Sequence, residues 1–229
     1  MKCRPFFHWV FLLPVTLSAQ NNVDYTLYME AARERSILFK GAFPMRYGYQ
    51  MANDGSTFYA FSPTAERGTL VFYGKVYQNV LLNLNTYTDE LYAFDPVTNL
   101  PVVVNKHGVD SFSLGTHRFV RYAPEAGALL KEGYYELLYS GRLLLCKKIQ
   151  KQFRDEISNG KIIQRYLLVE NFYVCTNNTW VRINSKAEVK RLFPDQKRAI
   201  NRLVKTKELD FRNHKGVALF EIITYIDHL

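Results

Sequence analysis

The sequence predicts an α+β chain: an antiparallel β meander forming one curved sheet, followed by a short C-terminal helical tail. Three observations carry this reading. From Thr57 to about Asn184 the text runs in short alternating segments, rich in aromatic and β-branched residues and punctuated by Gly, Asn, Asp and Pro. Tyr and Phe number 16 each among 229 residues, and such side chains suit half-buried pleated surfaces. After Asn184 the apolar spacing lengthens to a helical period, and Ser185 with Glu188 three residues later forms a capping-box signature. At 48% apolar residues the chain is long enough for one sizeable core.

The elements follow in order. "MKCR" is a basic start, and "FFHWVFLLPVTLSA" is an apolar run ending in small residues at Ser18-Ala19. Residues 1–19 are therefore expected to be a cleaved secretory signal; the alternative is an uncleaved N-terminal anchor. Lys2, Arg4 and Cys3 leave with that segment, and the remainder stays basic. Residues 20–184 are expected to form a β-rich domain. Its lead-in holds either a short helix through Met29–Arg35 or a first strand, then a turn at Asn53-Asp54-Gly55. "TFYAFS" and "GTLVFYG" read as strands, with a tight hairpin at Tyr73-Gly74-Lys75. Further turns fall at Thr88-Asp89-Glu90, at Asp95-Pro96 with Thr98-Asn99, at Ser140-Gly141 and at Asn177-Asn178. Residues 147–163 fit either a long hairpin tip or a short exposed helix. Residues 185–229 are the helical tail, packed on the sheet. Pro194 is expected to end its first helix and to open the next. The last helix is expected to turn Val217, Leu219, Phe220, Ile223 and Ile226 inward.

Several of these segments are familiar together. Tyr139-Ser140-Gly141, Ser185-Lys186, Phe193-Pro194 and Leu209-Asp210-Phe211 stand in the order "Y-x-G strand, S-K helix start, F-P junction, basic helix, final helix". With "YGKVYQNVLLNLNTYTDELYAF" and "VDSFSLGTHRFVRY", the chain resembles a group of exported proteins of unassigned function from Bacteroidota-type bacteria. The resemblance implies an envelope location and no catalytic residue. The expected location is the periplasm or the outer envelope.

Motifs that carry chemistry are sparse. No G-x-S-x-G, H-E-x-x-H, C-x-x-C or phosphate-cradling glycine loop is present, so no catalytic residue, metal ligand or cofactor is assigned. His107 and His117 with Asp110 are the nearest approach to a metal-ligand set. The favoured reading makes "SFSLGTHRFVRY" a strand edge bent at Gly115-Thr116. Cys146 and Cys175 are an even pair in an oxidising compartment, either a disulfide or two buried thiols. Tyr73, Tyr77, Tyr87, Tyr92 and Phe94 either line an apolar cavity or form core and cross-strand pairs, the latter favoured. The densest charge lies in "KRLFPDQKRAINRLVKTK". There Lys190, Arg191, Lys197, Arg198, Arg202 and Lys205 offer a basic face to an envelope protein or to anionic lipid, against the plain alternative of a solvated helix. Nucleic acid is disfavoured by the export signal. The functional expectation is a non-enzymatic exported envelope protein that binds a protein partner or a lipid-like ligand. The alternatives are a structural subunit of an envelope assembly or a hydrolase with an unrecognised site.

Overall fold

The computed structural model describes residues 37–44, 56–59, 64–124 and 128–229. The expected signal segment, the Met29–Arg35 helix and the Asn53-Asp54-Gly55 turn lie outside them. Among the described residues ten strands form one antiparallel sheet: β1 (Glu66–Phe72), β2 (Lys75–Asn85), β3 (Glu90–Phe94), β4 (Pro101–Val103), β5 (Val109–Leu114), β6 (His117–Tyr122), β7 (Gly133–Ser140), β8 (Leu144–Ser158), β9 (Lys161–Thr176) and β10 (Thr179–Arg182). Three helices follow: α1 (Lys186–Leu192), α2 (Lys197–Thr206) and α3 (Lys215–Asp227). This is the α+β meander with a helical tail that the periodicities predicted.

The strand order is β10-β9-β8-β7-β6-β5-β1-β2-β3-β4. The meander has one break. β5 does not extend the sheet beyond β4; it returns to the other side of β1, with Leu70 opposite Phe112. Three hairpins turn on pairs of left-handed residues: Tyr73-Gly74, Asn159-Gly160 and Asn177-Asn178. Such pairs match the right-handed twist of the strands they join. The sheet curls strongly. Four strands separate β2 from β8 in the order, yet the Lys151 amide of β8 donates to the Thr86 carbonyl just past β2 at 3.1 Å. Leu70, Phe72, Leu82, Leu91, Phe112 and Phe119 are buried in the front half. The Phe112 and Phe119 rings stack at 4.8 Å.

One segment differs from expectation, and one left open between two readings is decided. "TFYAFS" is not a strand where it is described; Phe58 makes one isolated bridge to Asn85. Residues 147–163 belong to a long hairpin, not a helix. β8 and β9 pair in unbroken register from Leu144↔Cys175 to Ser158↔Lys161. β7 accompanies β8 only through Lys147, so the hairpin runs on as a two-stranded ribbon. At its end Ile157 and Ile162 lie opposite each other, 82% and 69% exposed.

The tail packs on the β7–β10 end. Leu145, Phe172 and Val174 meet Ile183, Val189, Ile200, Leu219, Ile222, Ile223 and Ile226 in one apolar cluster. The Ser185 hydroxyl accepts from the Glu188 amide at 3.2 Å. The Glu188 carboxylate reaches past Ser185 to the Asn184 amide at 2.6 Å. Pro194 follows the end of α1, but α2 begins at Lys197, so it does not open that helix. In α3 the inward stripe is Ala218, Leu219, Ile222, Ile223 and Ile226, whereas Val217 and Phe220 are exposed. A stripe at i, i+3, i+4 and i+7 cannot also hold Val217 and Phe220 on the same side. Asp227 pins the far end, accepting from the Tyr139 hydroxyl at 2.7 Å and from the Arg142 and Leu143 amides at 2.9 Å. Burial opposes its charge, but these donors outweigh it and hold the carboxyl below its usual range.

Candidate functional site

Three polar constellations stand out. The first crosses four strands. In the ladder, Phe119 pairs with Glu136, Glu136 with Lys147, and Ile149 with Glu170. Alternation therefore places His117, Glu136, Lys147 and Glu170 on one face. Glu136 lies between His117 and Lys147, and Lys147 lies between two carboxylates. His117 Nδ1 lies 2.6 Å from Glu136 Oε1, Lys147 Nζ lies 2.8 Å from Glu136 Oε2, and Lys147 Nζ lies 3.4 Å from Glu170. The Glu136 side chain is 4% exposed and the His117 ring 46%. Tyr59 meets the His117 ring edge-on at 5.4 Å. Burial, then Glu136, Glu170 and Glu66, push its hydroxyl well above the normal tyrosine range. A carboxylate thus orients an imidazole, the arrangement of a general base. A nucleophile does not complete it: among the described residues no serine, threonine or cysteine is hydrogen-bonded to His117, and Ser113 accepts instead from the Thr69 amide at 3.0 Å. His107 sits apart, beside Arg121 and Glu132. Among the described residues no group of three or more His, Cys, Asp or Glu could hold a metal ion. The sequence places His117 at a strand edge, and it does open β6. Its buried carboxylate partner 19 residues away was not legible.

The second constellation closes the curl. Asp89, left-handed in the β2–β3 turn, receives Lys148 at 2.6 Å and Lys106 at 3.0 Å. Burial lowers the Lys148 ammonium's proton affinity, and Asp89 opposes that shift. The two lysines lie over the Tyr135 and Tyr134 rings, at 5.0 and 5.3 Å. Nearby, the Lys151 ammonium donates to the Phe58 carbonyl, and burial pushes its pKa down to about 8. Lys148 and Lys151 are buried and each finds an oxygen acceptor, as a structural role requires, while the buried Tyr134 hydroxyl has no hydrogen-bond partner among the described residues.

The third is the basic face. α2 buries Ile200 and half-buries Leu203 and Val204 against the tail core. Lys197, Arg198, Asn201, Arg202 and Lys205 are all exposed, as is Arg191 of α1, while Lys190 is half-buried. Among the described residues none of the six predicted cations forms an ion pair; Lys207, just beyond, binds Glu221 at 2.5 Å. Local forces disfavour this arrangement. Arg198 and Arg202 repel at i,i+4. The first turn holds Lys197 and Arg198, no acid, and no side-chain cap, opposite to what the helix dipole favours.

The cysteines occupy neighbouring strands on one face, one diagonal step apart: Cys146 opposes Tyr173, and Cys175 opposes Leu144. Both are free thiols. Diagonal Cα atoms across an antiparallel pair are about 7–8 Å apart, beyond the usual reach of a disulfide. Burial pushes the Cys146 thiol up to about 12, which leaves it unreactive. The five aromatics weighed as a cavity lining do not share a wall. Tyr77 and Tyr92 are core, Phe94 is half-buried, and Tyr73 and Tyr87 are exposed.

No helix among the described residues is long and apolar enough to cross a membrane. No family model, curated protein or solved structure matches the chain.

Proposed function

We propose that the chain is a non-enzymatic binding protein of the cell envelope that engages an anionic partner through the outer face of α2. One observation carries the reading: Lys197, Arg198, Arg202 and Lys205 share one exposed side of a ten-residue helix, and none of them forms an ion pair among the described residues. A sequence keeps such a local conflict where it serves something other than folding. The signal-like N-terminus and the resemblance to exported proteins support the location. The second reading, a structural subunit of an envelope assembly, draws support from the exposed Ile157 and Ile162 at the ribbon tip.

Retention on an immobilised polyanion tests the main reading. The native chain should elute only at raised salt. Arg198→Glu with Arg202→Glu should elute much earlier, while Arg154→Glu on the ribbon should not. Equal elution of all three would remove α2 from the account.

A further inference from the structure

We infer that the anionic partner is the phosphate headgroup layer of a phospholipid bilayer, contacted without insertion into the acyl chains; this rests on the reading of α2 as the binding face. The chemistry of that face separates the candidates. Protein–protein interfaces are anchored by aromatic and large side chains seated in pockets, and lysine is depleted at their centres. The outward residues of α2 are Lys197, Arg198, Asn201, Arg202 and Lys205, with no aromatic or aliphatic side chain among them. Single-stranded nucleic acid is gripped by stacking on aromatic rings, and the α2 face offers none. A headgroup layer needs neither anchor nor stack. Its anions move laterally and meet whatever spacing the protein presents.

The geometry suits a plane. From Arg198 to Lys205 the helix advances about 10 Å at 1.5 Å per residue. Lys197 broadens that row across the helix surface, and Arg191 of α1 adds a further exposed cation. Ile200, Leu203 and Val204 are committed to the tail core, so α2 has no apolar side left to insert. That distinguishes it from interfacial amphipathic helices, which bury an apolar face at the acyl boundary. Attachment is then purely electrostatic and fully reversed by salt. The two arginines can each clasp a phosphate in bidentate fashion, and the lysines act as point charges.

Co-sedimentation of the chain isolated from its cells tests this, using phosphatidylcholine vesicles with and without phosphatidylglycerol. The neutral vesicles subtract any apolar contribution from the rest of the chain. The native chain should sediment with the anionic vesicles and be released by salt. Arg198→Gln with Arg202→Gln should bind about thirty-fold more weakly, at about 1 kcal/mol for each cation lost from the surface. Lys197→Gln with Lys205→Gln should weaken binding comparably, and Arg198→Lys with Arg202→Lys should retain most of it. Two results overturn the inference. One is failure to bind anionic vesicles by a chain still held on the polyanion through α2; that result keeps the binding face and assigns it an acidic protein or nucleic acid. The other is vesicle binding that is indifferent to both Gln pairs. Loss of polyanion retention as well would instead discard the binding face itself.

Discussion

Glu136→Ala is the sharpest perturbation of the fold. It removes the central acid of the four-strand polar ladder, whose carboxylate is 4% exposed and contacts His117 at 2.6 Å and Lys147 at 2.8 Å. Breaking a buried ion pair by deleting one member costs about 3–5 kcal/mol, because the remaining charge is buried alone. Two features reduce that here. Lys147 keeps Glu170 at 3.4 Å, and the His117 ring is 46% exposed, so water can serve it. We expect a loss of about 2–3 kcal/mol, which for a chain of this size lowers Tm by roughly 5–10 °C. Glu136→Leu combined with Lys147→Met removes both charges and fills the space with apolar atoms, and such replacements are often neutral or stabilising. The double variant should therefore be more stable than Glu136→Ala. Urea and thermal unfolding followed by circular dichroism decide it. A single variant within about 0.5 kcal/mol of native, the ordinary range of surface substitutions, would refute the claim that Glu136 is a buried, paired carboxylate. So would a double variant as unstable as the sum of its parts.

Three further outcomes follow from the same geometry. Gly133→Ala should destabilise the chain by at least about 2 kcal/mol. Gly133 has φ +150°, and an added Cβ would run into the Asp89 carboxylate and the Lys148 ammonium; normal stability in urea would show that this contact is loose. Lys151 has its pKa lowered by burial to about 8, against 10.5 in the unfolded chain. Between those values the unfolded state binds more protons, so stability should rise with pH from about 8 toward 10 and be flat in this respect below 8. Subtracting the profile of Lys151→Met isolates the effect, and a difference that does not change over that window would contradict the burial. Cys146 should resist thiol reagents in the folded chain and react in urea without prior reduction. Two fewer reactive thiols in unreduced, unfolded chain would show a disulfide between Cys146 and Cys175.

What the sequence disclosed, and what it hid, has a physical pattern. Turn chemistry is local, so Tyr73-Gly74 and Asn177-Asn178 marked their hairpins. Capping is local too, and Ser185 with Glu188 placed the start of α1. Residues 147–163 were ambiguous because charged, mixed text carries little period of either kind, and only the long register of β8 on β9 makes them strand. Register across strands cannot be read from alternation along one strand. That is why the return of β5 to β1 and the meeting of His117 with Glu136 stayed hidden. The inward face of α3 differs from the expected one because a helix apolar at most positions has no sharp stripe in its sequence. The basic face of α2 was legible because solvated charge needs no partner to be recognised. The structure adds that its other side is spoken for by Ile200, Leu203 and Val204.

The most direct measurement of the central claim is salt extraction of washed envelopes from the cells that make this chain, comparing native protein with Arg198→Glu and Arg202→Glu. The account expects native chain to stay with the envelope at low salt and to be released as salt rises, with the variant already soluble at low salt. A variant held through the same salt series as the native chain, or a native chain absent from the envelope, would contradict it.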